Sequence, residues 1–368
     1  MKEKNIYELD NKDFSEYIEK LKKKDSKKAI EEIYNYTSYQ IRPSILSNLN
    51  VIFGGRGTGK TFTMLKNLIL NDVFFIWLRY TETTIEKIAK GQSLTRPISL
   101  SVENFPDIKI ISDNGNYKFV EMSDDEKTIK KCFGYLMSLS TFKNARGVDF
   151  SNVKAIVIDE FIDEKGAKNI KYLGDLVKNM YETVNRNREL QGEKPVQITL
   201  LSNTNNIIND ILEAFNLNEI LEKMLNNNNK IYKTDDIYIR FIDNKAFTNE
   251  KKKTFLYRLL KDDEYTKMAL ENKFSYSTGL IRKNLNLKKA VPLFNINSKY
   301  VVLQLQNEHM YIKRGFYKDL LNHDLTNLNE KLLFKQMFLK QFSLLYMKGF
   351  LLFDSVYTEN FIKENLLK

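Results

Sequence analysis

Short runs of apolar residues punctuate a chain that otherwise places its hydrophobic positions at helical spacing. The runs are Asn50–Phe53, Val73–Leu78, Tyr135–Leu139, Val153–Ile158 and Val196–Leu201. Runs this short with no polar face predict strands buried on both sides, as in a parallel sheet. Between them, Thr61–Leu70, Thr81–Lys90 and Asn169–Arg188 read as helices. Alternating strands and helices predict an α/β domain around a parallel core sheet. A looser stretch containing Pro97 and Pro106 predicts a hairpin at Asp113-Asn-Gly-Asn116. Ahead of the first strand, residues 1–46 alternate charge with Phe14, Tyr17, Ile18, Leu21, Ile30, Ile33 and Tyr34, a pattern of amphipathic helices closed by Pro43. Residues 226–229 mark a turn, and Asp236–Ile242 alternates like a last strand.

The pattern changes near residue 250. Lys251–Lys273 reads as a charged helix, and Tyr300–Leu305 and Met310–Lys313 as a hairpin around Asn307-Glu308-His309. Leu328–Lys348 and Thr358–Leu367 read as closing helices. The expected organisation is therefore 1–245 as the α/β domain, with 1–45 a helical extension, 246–274 as a helical linker, and 275–368 as a small second domain. No internal repeat is visible.

With 368 residues and 42% hydrophobic content, the chain has material for a large core, which excludes global disorder. A single cysteine, Cys132, excludes an internal disulfide. Two histidines, His309 and His323, exclude a Cys/His zinc site. The longest apolar stretch, Phe338–Phe353, is broken by Lys340, Gln341, Lys348 and Gly349, so no membrane span is expected. The first residues lack the apolar core of a secretory signal, and the expectation is a soluble, intracellular protein. Net charge is +11, of which residues 245–368 carry +10. That asymmetry suits a polyanionic partner such as DNA, RNA or an acidic protein face; a lysine-rich solvated surface is the alternative.

Chemistry enters with Gly54-Gly-Arg-Gly-Thr-Gly-Lys-Thr61. It fits G-x-x-x-x-G-K-[ST] and lies between a strand and a helix, the context that motif requires. Gly54, Gly55, Gly57 and Gly59, with Arg56 and Thr58 between them, let backbone N–H groups surround a phosphate. Lys60 then reaches the β/γ-phosphates of ATP, and the Thr61 hydroxyl ligates Mg²⁺. About a hundred residues on, the strand Ala155-Ile-Val-Ile ends in Asp159-Glu160. Asp159 suits the Mg²⁺ site and Glu160 suits activation of the attacking water. Leu200-Leu-Ser-Asn-Thr204 ends the next strand, with Asn203 the candidate sensor of the γ-phosphate; a strand end turning into a helix cap is the alternative. Arg186 and Arg188 are candidates for an arginine acting on a neighbouring subunit's nucleotide, or plain helix-end cations. Lys143 and Arg146 are candidate sensor or DNA-facing cations.

These motifs resemble the DNA-packaging ATPases of phi29-like small tailed phages. The resemblance rests on the loop 54–61, Tyr135-Leu-Met-Ser-Leu-Ser140, Ile156-Val-Ile-Asp-Glu-Phe161, Arg186/Arg188 and Leu200-Leu-Ser-Asn203, in that order, and covers about residues 40–368. It implies an ASCE-type P-loop ATPase, an ATP and Mg²⁺ dependence, and a homo-oligomeric ring, pentameric by resemblance. The ring would dock on the portal of a procapsid in the host cytoplasm and drive double-stranded DNA inward. Some relatives add a scaffold RNA between ATPase and capsid. Lys60, Asp159 and Glu160 would carry the nucleotide chemistry, Arg186 or Arg188 would act in trans, and Arg146 would regulate hydrolysis.

The resemblance also implies an α+β, RNase H-like C-terminal domain. Such nucleases need clustered carboxylates for two metal ions. Residues 275–368 contain Glu308, Asp319, Asp324, Glu330, Asp354, Glu359 and Glu364, scattered, and no acid within Tyr300–Leu305. The expectation is a vestigial nuclease; Lys251–Lys253 ahead of it, and Arg282-Lys283, Lys288-Lys289 and Lys313-Arg314 within it, are candidate contacts to nucleic acid or a solvated basic face. A full terminase with an active nuclease, a non-catalytic adaptor for portal or nucleic acid, and a general helicase are the rival readings.

Overall fold

The computed structural model describes residues 5–113, 115–142, 148–162, 172–203, 209–260, 280–282, 285–306 and 308–367. The chain forms two compact units, Met1–Ser275 and Tyr276–Lys368.

The first unit opens with the helical hairpin α1 (Asn11–Lys22) and α2 (Ser26–Tyr39). Asp10 and Asp25 cap these helices by accepting from backbone N–H groups of their first turns. Then follow β1 (Leu49–Phe53), α3 (Lys60–Leu70), β2 (Phe75–Arg79), α4 (Glu82–Gly91) and the short α5 (Arg96–Ser99). An antiparallel meander of β3 (Ile108–Asp113), β4 (Asn116–Met122) and β5 (Ile129–Ser138) comes next. The unit continues through β6 (Ala155–Asp159), α6 (Leu173–Asn185), β7 (Gln197–Ser202), α7 (Asp210–Ala214) and α8 (Asn218–Asn226). It closes with β8 (Ile231–Lys233), β9 (Ile237–Phe241), α9 (Lys245–Lys252) and α10 (Phe255–Leu260).

The sheet order is β3-β4-β5-β2-β6-β7-β1-β9-β8. The central strands β5, β2, β6, β7, β1 and β9 run parallel, and antiparallel strands close both edges. Strand β7 lies between β1 and β6, so the phosphate loop and the Asp-Glu pair stand two strands apart. Successive side chains along a strand face opposite sides, and the core obeys this. Val51, Phe53, Ile156, Ile158, Ile198 and Leu200 pack under α6, α7 and α8. Ile52, Trp77, Val157 and Leu201 pack with Met64, Leu65 and Ile85 of α3 and α4 on the other face.

Two expectations are revised. The helix expected at 169–188 ends at Asn185, with Arg186 turning at φ 49°, and residues 163–171 lie outside the described residues. The linker expected at 246–274 is, over 246–260, part of the first unit. Ala246 and Phe247 of α9 are buried with Phe14, Ile18, Ala29, Ile33 and Tyr36 of α1 and α2. Asn244 fixes the junction, donating to the Ile33 carbonyl and the Thr37 hydroxyl, and Lys22 pairs with Glu250. Residues 261–274 lie outside the described residues.

The second unit is α+β. Strands β10 (Val291–Ile296), β11 (Tyr300–Gln304) and β12 (Met310–Arg314) form a meander, which includes the expected hairpin; its tip residue Asn307 lies outside the described residues. Two strands join in parallel, β13 (Asn322–His323) on β10 and β14 (Leu351–Phe353) on β12. Helices α11 (Leu328–Met347) and α12 (Val356–Ile362) accompany them. Phe334, Phe342 and Ile362 pack on Phe294, Val302, Ile312 and Phe353 of the sheet.

Candidate nucleotide site

The loop 54–61 leaves the C-terminal end of β1 and opens α3. Gly57 and Gly59 have φ of +79° and +90°, a region that side chains other than glycine's rarely enter. The second of these is the N-terminal cap of α3 and turns the loop back on itself. Lys60 is 8% exposed. Its ammonium donates to the carbonyls of Gly54 at 2.7 Å and Gly55 at 3.1 Å, and to Asn203 Oδ1 at 3.1 Å. Burial pulls its pKa down to about 8, against the opposing pull of Asp159 and Glu160. Thr58 closes the loop by donating to the Gly55 carbonyl.

Asp159 ends β6 at 2% exposure. It accepts from the Thr61 hydroxyl at 3.1 Å through both oxygens. Desolvation holds its carboxyl above the ordinary aspartate value. Glu160 follows at φ +59°, a strained backbone for a non-glycine residue. That turn leaves its carboxylate 64% exposed. The sequence-derived residues Lys60, Thr61, Asp159, Glu160 and Asn203 are thus brought together, with Arg56, Gly57, Thr58 and Gly59 in the same cavity of about 1040 Å³. A buried cation, a hydroxyl beside a buried carboxylate, and a loop of backbone N–H groups at a helix N-terminus form a donor set that fits a magnesium–nucleotide triphosphate.

Sequence reasoning missed three participants. Arg79, the last residue of β2, bridges the acid pair: it donates to Asp159 Oδ2 at 2.7 Å and pairs with Glu160. The sole hint in the sequence is an apolar strand ending in a charge. Ser202, beside Asn203, lines the cavity with a buried hydroxyl that has no hydrogen-bond partner among the described residues. Helix α2 supplies a whole wall, through Glu31, Tyr34, Asn35 and Ser38.

The cations sort differently from one another. Arg188 is 7% exposed and donates to the carbonyls of Phe150 at 3.0 Å and Ser151 at 2.7 Å. Those bonds tie it into the fold, so the candidacy of Arg188 for a trans-acting role is corrected to a packing role. Arg186 is exposed. Lys143 and Arg146 lie outside the described residues. Of the lysines expected on nucleic acid, Lys253 pairs with Glu250, and Lys251 Nζ comes within 3.6 Å of the place where a Cβ on Gly57 would sit. Lys283 lies outside the described residues.

A strand inserted between the phosphate-loop strand and the acid-bearing strand, with this donor set at their C-terminal ends, defines an ASCE-type P-loop ATPase. Residues 33–368 match the family described as podovirus DNA encapsidation protein (Gp16). The chain belongs to that family, and its function is the ATP-driven packaging of viral DNA. It is 28% identical to the DNA packaging protein of Bacillus phage phi29 in a 334-position alignment that covers 86% of this chain and 92% of that one. In fold it is similar to the bacteriophage phi29 viral genome packaging motor assembly, with a TM-score of 0.59 at 23% identity, over 86% of this chain and 94% of that one. It is also similar to the phi28 gp11 DNA packaging motor, with a TM-score of 0.55 at 19% identity, over 88% and 96%.

Proposed function

We propose that Mg·ATP binds with its phosphates in the loop 54–61 and that its hydrolysis drives double-stranded DNA through a portal into a preformed procapsid in the host cytoplasm. The observation that carries this is the Thr61 hydroxyl 3.1 Å from the buried Asp159 carboxylate, next to the buried Lys60. Thr61 and Asp159 would hold Mg²⁺, which supplies charge neutralisation at the β/γ-phosphates. Lys60 exchanges its loop carbonyls for phosphate oxygens. Glu160, exposed at the cavity, orients and deprotonates the attacking water. Asn203, already in contact with Lys60, reports the γ-phosphate to β7. Arg186 acts on a neighbouring subunit's nucleotide in a homo-oligomeric ring, pentameric by family resemblance. Arg146 regulates hydrolysis, and a scaffold RNA joins ring and capsid in some relatives.

The second unit is proposed as a vestigial, RNase H-like nucleic-acid or portal-binding domain. Two of its acids are committed elsewhere: Asp354 accepts from the Arg314 N–H and the Thr358 hydroxyl, and Glu359 accepts from the Tyr346 hydroxyl and pairs with Lys363. Its basic residues suit salt-sensitive, sequence-independent backbone contacts.

The test is steady-state ATP hydrolysis with and without double-stranded DNA over a salt series, comparing wild type with Glu160→Gln. DNA stimulation that fades with salt and vanishes in Glu160→Gln is expected. No turnover with DNA and portal-bearing capsids present would favour the adaptor reading. DNA cleavage in Mn²⁺ that Asp354→Ala abolishes would establish the full-terminase reading instead.

A further inference from the structure

Helix α2 has two faces with different jobs. Ala29, Ile33 and Tyr36 are buried against α1 and α9. Glu31, Tyr34, Asn35 and Ser38, at spacings of three, four and seven along the helix, all line the cavity that contains Lys60 and Thr61. The Tyr34 ring passes 3.5 Å from the place where a Cβ on Gly59 would sit, directly against the phosphate loop. It is 45% exposed and held edge-on by Phe247 at 6.0 Å. Ser38 bonds the Thr63 hydroxyl one helical turn beyond the loop, fixing α2 against α3. Pro97 and Val102 line the same cavity.

We propose that α2 reads the nucleoside. The open face of Tyr34 stacks on a purine base, and Glu31 accepts a hydrogen bond from the exocyclic amino group of adenine. This rests on the reading that the phosphates bind at Lys60: a nucleotide anchored there extends its sugar and base along α3, where α2 forms the wall. An aromatic ring half in water beside a carboxylate and a carboxamide has the chemistry for a flat base with donor groups on its edge. Glu31 lies ahead of the family match, which begins at residue 33. The N-terminal hairpin is thereby a specificity element.

The experiment measures equilibrium binding of Mg·ATP, Mg·ITP and Mg·tripolyphosphate to full-length wild type, Tyr34→Ala, Tyr34→Phe, Glu31→Ala and Lys60→Ala, with melting temperatures alongside. Tyr34→Ala is expected to weaken ATP by about tenfold or more, the scale of losing one base stack, and to leave tripolyphosphate unchanged. Tyr34→Phe is expected to bind ATP like wild type. Glu31→Ala is expected to weaken ATP but not ITP, which lacks the amino group. Unchanged ATP binding in Tyr34→Ala, or equal weakening of ATP and tripolyphosphate, would overturn the proposal while Lys60→Ala still defines the phosphate site. Retention of both ligands by Lys60→Ala would instead overturn the phosphate-site reading, and this inference with it.

Discussion

Replacing Arg79 by Met removes the guanidinium and keeps much of the side-chain volume. In the wild type that guanidinium is 11% exposed and bridges Asp159, 2% exposed, to Glu160. Its loss leaves the Asp159 carboxylate buried with the Thr61 hydroxyl at 3.1 Å. Breaking a buried ion pair by deleting one partner costs about 3–5 kcal/mol. The Glu160 arm, open to solvent, adds no more than about 0.5 kcal/mol. For a unit of this size the melting temperature should fall by roughly 10 °C. Burial already raises the Asp159 carboxyl above its ordinary value and Arg79 pulls it back, so the variant's carboxyl rises further. A folded-state pKa above the unfolded one means protonation favours the fold, so the deficit is smallest at low pH and widens as pH rises through the raised value. Saturating Mg·ADP should narrow the deficit, because a cation held by Thr61 and Asp159 takes over the neutralisation. Differential scanning calorimetry across pH, with and without Mg·ADP, reads all three effects. A melting temperature equal to wild type, or a deficit that Mg·ADP does not narrow, would refute the reasoning.

Gly134→Ala places a Cβ 2.1 Å from the Phe75 carbonyl oxygen, so β5 must separate from β2; a loss of about 3 kcal/mol or more is expected in chemical denaturation. Arg188→Ala strips donors from two carbonyls and should lower the melting temperature, whereas Arg186→Ala should leave melting unchanged and cut assembled-ring ATPase activity by roughly a thousandfold or more. Equal effects of the two substitutions on melting would sink that division of roles. Lys60, near 8 in the free protein, must be charged to hold phosphate, and phosphate raises its pKa; affinity for nucleotide should be full below about pH 8 and fall roughly tenfold per pH unit above it. Titration of a fluorescent ADP between pH 7 and 9.5 checks the slope.

What the chain's pattern disclosed was whatever is local. The run Val51-Ile-Phe53 into Gly54, and Ile156-Val-Ile158 into Asp159, announce strand, turn and chemistry within a dozen residues, because parallel strands buried on both faces have few polar positions. Arg79 stayed hidden because its meaning depends on β2 lying beside β6, a neighbour relation no local pattern encodes. Tyr34 read as an ordinary amphipathic position, since nothing in residues 26–39 says which second surface that helix covers. Arg186 and Arg188 looked equivalent at a helix end two residues apart; the turn at φ 49° sends them to opposite environments. The first half of β5, Ile129-Lys-Lys-Cys132, escaped because an antiparallel strand near the sheet edge tolerates charge.

The large sheet's two edges carry a consequence for assembly. One edge strand, β8, has three residues; the other, β3, carries Lys109 and Asp113, paired with Glu126 and Lys118. Short or charged edges resist the addition of a further strand. This sheet is therefore denied the cheapest and least reversible way for one chain to join another. Any contact this sheet's edges make with another chain is left to side chains, which form and part more readily than a continued ladder of backbone hydrogen bonds.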